Sequence, residues 1–181
     1  MSGSYFELLG LPERFDLARP AIEAAYLDRT REVHPDRFAT AAASERVAAL
    51  QRSMQLNDAY QTLRQPVRRA EYLLNRHGVF IGDNERLDDA AFLMEILELR
   101  EELAEARVAG KLDEVARLQA EMRRRHRGLL DALIPLFAAV EGDDAAGRAD
   151  ALPRVKRTLI ELRYLARYLE ECDAALDDEE A

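Results

Sequence analysis

A histidine and an aspartate separated by one proline, His34-Pro35-Asp36, are the residues of this chain whose types and spacing come nearest to a reactive centre. An imidazole titrates close to neutral pH and a carboxylate accepts protons or binds cations, so the pair could serve acid–base chemistry or metal-assisted hydrolysis. Such a site needs further groups, and none is in view. The other two histidines, His77 and His126, fall in separate segments, and no histidine has a glutamate three residues before it, as a di-iron bundle requires. The single cysteine, Cys172, can build neither a disulfide nor a cysteine-rich zinc site. There is no glycine-rich phosphate loop and no nucleophile elbow. The sequence therefore predicts no catalytic residues, no metal and no cofactor. What the tripeptide does offer is recognition. Proline fixes the turn and pushes the residue before it toward extended geometry, so a partner docking there freezes out little entropy. The plainer reading is an interhelical turn with Asp36 capping the next segment, and the surroundings decide between the two.

The elements around the turn are helical. Almost no stretch alternates with a period of two, and apolar residues recur at helical spacing. Helices are expected over about 4–10, stopped by Gly10 and Pro12, and over 18–33, with Ile22, Tyr26 and Val33 inward. A third is expected over 41–64, with Val47, Leu50, Met54 and Leu63 on one side. A fourth opens at Pro66, where a missing N–H costs nothing. Residues 79–87, polar and glycine-containing, read as a linker. Three longer helices come next, at about 88–108, 112–140 and 148–176, separated by Gly110 and by Glu141-Gly142-Asp143-Asp144, with Pro135 expected to kink or shorten the middle one. Their short connections suggest an antiparallel bundle. The fold class is all-α.

The order of words in the first half resembles a J-domain, the module that activates DnaK-type ATPase chaperones. Tyr5-Phe6-Glu7-Leu8-Leu9-Gly10-Leu11 precedes the turn, Ala21-Ile22-Glu23-Ala24-Ala25-Tyr26 opens the helix before it, and Leu56-Asn57-Asp58-Ala59-Tyr60-Gln61-Thr62-Leu63 closes the unit. The resemblance implies that His34, Pro35 and Asp36 trigger ATP hydrolysis on the chaperone, and that Arg29, Arg31 and Arg37 add a basic face. Asp28 and Glu32 dilute that face, which fits a dedicated chaperone. No glycine/phenylalanine-rich segment follows Gly78, as a general J-protein would have.

The second half carries spare apolar surface. On a helix from Asp88 to Ala104, Phe92, Ile96, Leu99 and Leu103 form a core stripe, while Leu93, Met94 and Leu97 form another patch bordered by Glu98, Arg100 and Glu101. In the last helix Val155, Leu159, Leu162, Ala166 and Leu169 form the core stripe, with Ile160 and Tyr164 nearly opposite. Periodicity alone leaves open a wide bundle core or a partner surface. Arg69-Ala70-Glu71-Tyr72-Leu73-Leu74, Ala91-Phe92-Leu93-Met94-Glu95 and Leu97-Glu98-Leu99-Arg100-Glu101-Glu102-Leu103 resemble the HscB co-chaperones of iron–sulfur cluster assembly. That resemblance implies an L-shaped protein, with a J-domain over 1–78 and a three-helix bundle over 88–181. It implies an IscU-like scaffold protein held by Leu93, Met94, Leu97, Glu98, Arg100, Glu101 and Tyr164, and an HscA-like chaperone on the J-domain. A general J-domain co-chaperone with another client is the alternative.

Composition sets the remaining bounds. Of 181 residues, 48% are hydrophobic and 34% charged, which argues against general disorder, and no apolar run is long enough to span a membrane. Residues 1–80 hold 11 basic and 10 acidic side chains, and residues 81–181 hold 15 and 25. The second half is therefore a poor general polyanion binder. The run Arg123-Arg124-Arg125-His126-Arg127 lacks aromatics to stack on bases and reads as a solvated face paired with nearby acids. No nucleic-acid or membrane partner is expected. With one cysteine and neither a basic nor an apolar leader in Met1-Ser2-Gly3-Ser4, the expected compartment is the cytoplasm.

Overall fold

The computed structural model describes residues 3–33, 38 and 42–177, and among them there are helices and turns but no strand. The elements are α1 (Tyr5–Leu9), α2 (Arg19–Glu32), α3 (Ala43–Leu63), α4 (Pro66–Arg76), α5 (Ala90–Val108), α6 (Leu112–Glu141) and α7 (Ala145–Asp177). They fall into two compact units, Met1–His77 and Gly78–Ala181.

In the first unit the chain ends its helices by local chemistry. Ser4 Oγ accepts from the Glu7 N–H at 3.1 Å and the Glu7 carboxylate accepts from the Ser4 N–H at 2.8 Å, a reciprocal cap on α1. Gly10 then turns the chain at φ 71°, where a Cβ would be strained and would also stand 2.7 Å from Nη2 of Arg29. Arg69 of α4 lies buried beneath the end of α3. It donates to the Leu63 carbonyl at 2.6 Å, satisfying an orphaned helix-end acceptor, and its guanidinium lies 5.2 Å from the Phe15 ring centroid. The core gathers Phe6, Leu9, Phe15, Ile22, Val33, Leu56, Leu63 and Leu73, with Tyr26 stacked on Tyr60 at 4.2 Å.

One stripe differs from expectation. In α3 the buried residues are Ala49, Leu56, Ala59 and Leu63, while Val47, Leu50 and Met54 face solvent. The two alanines face inward and fill little volume there. Leu56 and Leu63 supply the apolar volume inside, and Val47, Leu50 and Met54 stand on the outward side.

The second unit is built on the long α6–α7 pair with α5 laid against it. Its core holds Phe92, Ile96, Leu103, Val115, Leu118, Met122, Ile160, Leu165, Tyr168 and Cys172. Ile160, expected opposite the core, is inside it, because α7 packs against both α5 and α6 and buries more than one stripe. Pro135 does not shorten α6. The helix continues to Glu141, with Leu133, Leu136 and Phe137 buried around the proline, so packing offsets a cost on the order of 3 kcal/mol. Arg148 closes the end of α6, donating to the carbonyls of Val140 at 2.8 Å and Gly142 at 2.7 Å.

The segment expected as a linker over 79–87 is a strap held on the second unit. Leu87 is part of that core and Ile81 packs against it. Glu85 pairs with Lys156 at 2.6 Å, and Arg163 donates to the Gly82 carbonyl at 3.2 Å. Isolated apolar residues among glycines and charges have no period, which is why the packing was invisible in the sequence.

Candidate partner-binding surfaces

The α5 surface is set by what pins its other side. Asp89 caps the helix by accepting from the Phe92 N–H at 3.0 Å, and it also pairs with Arg157 of α7. Both interactions, the backbone hydrogen bond first, hold its carboxyl below the usual range. Toward α6, Glu95 takes two guanidinium nitrogens of Arg125, at 2.6 and 2.9 Å, and Glu102 pairs with Arg117 at 2.7 Å. The Arg125 guanidinium lies 5.3 Å from the Phe92 ring centroid. Toward α7, Arg100 pairs with Glu171 at 2.8 Å and the Tyr168 hydroxyl donates to the Leu99 carbonyl at 3.1 Å. Phe92 and Tyr164 meet edge to face at 5.7 Å.

At about 100° per residue, Met94, Leu97, Glu98 and Glu101 lie directly opposite the line of Phe92, Ile96 and Leu103. All four are exposed, Met94 by 55% and Leu97 by 50%. No ion pair joins Glu98 or Glu101 to another described residue. Leu93 and Arg100 lie on the α7 flank of this row and are half-buried, Leu93 packing against the core and Arg100 held by Glu171. Tyr164 is half-buried as well. The seven residues named from the sequence therefore divide. Met94, Leu97, Glu98 and Glu101 are free to meet a partner, whereas Leu93, Arg100 and Tyr164 form a shoulder that also serves the fold.

On the first unit, Arg29 and Arg31 lie in the last turn of α2, where cations suit the helix dipole. Arg29 pairs with Glu32 at 3.6 Å and Arg31 with Asp28 at 3.1 Å, so the diluting acids are direct partners. His34, Pro35, Asp36 and Arg37 lie outside the described residues. In the basic run of α6, Arg123 pairs with Asp173 at 3.2 Å and Arg125 with Glu95. Among the described residues no group of three or more metal-ligating side chains comes together, and no helix is long and apolar enough to cross a membrane.

Sequence reasoning missed a cleft of about 270 Å³ between the strap and α7. It is lined by Asp83, Glu85, Arg86, Ile160, Arg163, Tyr164 and Arg167, with Asn84 beside them. The only signal was the spacing of Arg163 and Arg167 at i and i+4 beside Tyr164.

Comparison with known proteins resolves both halves. The DnaJ domain family matches residues 4–72, and the family described as the HSCB C-terminal oligomerisation domain matches residues 88–173. The chain belongs to the HscB co-chaperone family. Co-chaperone protein HscB homologs from Aeromonas hydrophila and Ralstonia nicotianae are each 41% identical to it, over 88% and 98% of this chain and 94% and 98% of theirs. Chaperone HscB from Vibrio cholerae has a similar structure, with TM-score 0.75 and 33% identity over 97% of this chain and 99% of that one. Human co-chaperone HscB gives TM-score 0.78 and 28% identity over 96% and 82%. The HscB reading of the sequence, with its J-domain, its C-terminal domain and its all-α fold, stands.

Proposed function

We propose that this chain holds an IscU-like iron–sulfur scaffold protein on α5 and presents it to a DnaK-type, HscA-like chaperone whose ATPase its J-domain stimulates. The chemistry is the chaperone's. His34, Pro35 and Asp36 act on it, steered by Arg29, Arg31 and Arg37. The scaffold protein rests on Met94 and Leu97, with Leu93 and Tyr164 as the apolar shoulder and Glu98, Arg100 and Glu101 as the polar border. This reading places the protein in the cytoplasm.

The observation that supports it best is the exposure of Met94 and Leu97 on a helix whose opposite side is fully committed to the core. Two neighbouring apolar side chains in water gain by being covered, and residues in such a cluster contribute on the order of 1–3 kcal/mol each to binding. Calorimetric titration of an IscU-like scaffold protein into Met94→Ala/Leu97→Ala tests the proposal. The expected loss is about 100-fold in affinity with an unchanged melting temperature. Wild-type affinity in the variant overturns the assignment of α5. Failure of the unmodified protein to bind the scaffold favours a J-domain co-chaperone with a different client.

A further inference from the structure

The cleft between the strap and α7 gathers three cations around a cavity in the otherwise acidic second half. Arg86, Arg163 and Arg167 line it against two carboxylates, Asp83 and Glu85. Glu85 is already engaged, by Lys156 at 2.6 Å and by the Gly82 N–H at 3.0 Å, and the ammonium first, then the backbone, holds its carboxyl below the usual range. Arg163 is tied to the Gly82 carbonyl at 3.2 Å. Arg86 and Arg167 make no hydrogen bond or ion pair with any described residue, and both are exposed. Two guanidinium groups are thus left without a partner, facing one remaining carboxylate, Asp83.

Tyr164 joins this cleft to the α5 surface. It lines the cavity and stands edge-on to Phe92, whose neighbour Leu93 begins the apolar shoulder on the α7 flank. Ile160, on the core side of α7, also lines the cavity. A partner lying along Met94 and Leu97 and over Leu93 and Tyr164 arrives with its next residues at Arg86 and Arg167.

The geometry points to a second, electrostatic subsite for the client: the cleft receives a carboxylate-bearing side chain of the protein docked on α5, bound by Arg86 and Arg167. This inference rests on the proposed scaffold-binding role of α5 and adds to it the chemistry that the client must carry beside its apolar contact. Guanidinium is the group best matched to a carboxylate, which it can grip with two parallel N–H donors. The strap sets one wall and α7 the other, so the site exists only because residues 81–87 pack on the second unit.

The test is titration of an IscU-like scaffold protein, at 50 mM and 300 mM NaCl, into the full-length protein, Arg86→Ala/Arg167→Ala, and Met94→Ala/Leu97→Ala. The arginine variant is expected to bind about tenfold more weakly at 50 mM and to lose most of the salt dependence that the unmodified protein shows. Arg86→Lys/Arg167→Lys restores part of the affinity and all of the salt dependence. Both residues are exposed, so melting temperatures should match. Wild-type affinity and salt dependence in Arg86→Ala/Arg167→Ala, with binding still lost in Met94→Ala/Leu97→Ala, overturns the cleft and leaves the α5 surface standing. Full binding by Met94→Ala/Leu97→Ala instead removes the reading on which the cleft depends.

Discussion

On α2, Arg29 and Arg31 reach into solvent, and each pairs with a carboxylate of its own helix, at 3.6 and 3.1 Å. On α5, Met94 and Leu97 reach into solvent from a helix braced by Phe92, Ile96 and Leu103 beneath and by ion pairs to both neighbours. The first arrangement stores little. An exposed pair contributes about 0–1 kcal/mol, and salt weakens it further. The second draws on water released from apolar area, which salt does not screen, and it works only while the core behind it keeps the two side chains side by side. Both helices pack by their inner faces, through Ile22 on α2 and Phe92, Ile96 and Leu103 on α5, and they differ in what the outer face presents: paired charge on one, uncovered apolar area on the other.

The largest expected effect separates the two regions completely. His34→Gln should reduce stimulation of the partner chaperone's ATPase to the basal rate while leaving scaffold affinity unchanged, read by single-turnover hydrolysis and by titration of the same preparation. Stimulation within about twofold of the unmodified protein would remove the J-domain turn from the mechanism. Next in size is Phe92→Ala. It empties a core position that also carries the Tyr164 edge and the Arg125 cation, so urea unfolding should show a loss of about 3–5 kcal/mol. Scaffold affinity should fall with it, since the row above loses its footing. A loss below about 1 kcal/mol would mean that α5 does not depend on this packing and that the contrast with α2 is overdrawn.

The smallest effect concerns charge brought inside the second unit. Desolvation pushes the half-buried His126 imidazole below its ordinary pKa of 6.5. The unfolded chain therefore takes up a proton as the pH falls through about 6.5, while the folded chain resists until lower pH. Stability from this group is present in full above that value and is lost as the pH drops through the window beneath it. His126→Gln lacks the penalty, so its melting temperature should decline less between pH 7.5 and pH 5.5 than that of the unmodified protein. Parallel curves would show that the ring is solvated like the cations of α2.

Much of this was legible because helices write their partners at fixed intervals. Gly10, Pro66 and Gly110 mark boundaries by backbone chemistry alone, and α1 to α7 fall within a few residues of their expected limits. The α5 core line comes from its spacing. The failures share a cause, which is that periodicity records how apolar a face is but not what approaches it. In α3 Ala49 and Ala59 face inward with Leu56 and Leu63 while Val47, Leu50 and Met54 face outward, a choice of side that hydropathy cannot express. Ile160 looked spare because one stripe was counted where α7 serves two neighbours. Pro135 read as a kink or a shortening because the packing that carries the helix past it is tertiary. Leu93 and Met94, adjacent and alike in the sequence, differ by one step of rotation, enough to leave Leu93 half-buried against the core and Met94 in solvent. The cleft needed Arg86, which belongs to no helix, to meet Arg163 and Arg167.

None of the tethers that orient α5 comes from the row it displays. The cap at Asp89, the hydroxyl on the Leu99 carbonyl, and the pairs from Glu95 and Glu102 all use residues other than Met94, Leu97, Glu98 and Glu101. These four positions carry no fold duty, whereas Leu93 and Arg100 of the same helix serve both the fold and the proposed surface. The displayed row can drift, or be rewritten by an engineer, without re-solving the bundle. Under the proposed function, a descendant of this chain could retune its client contact at those four residues while Leu93 and Arg100 stay fixed by the fold.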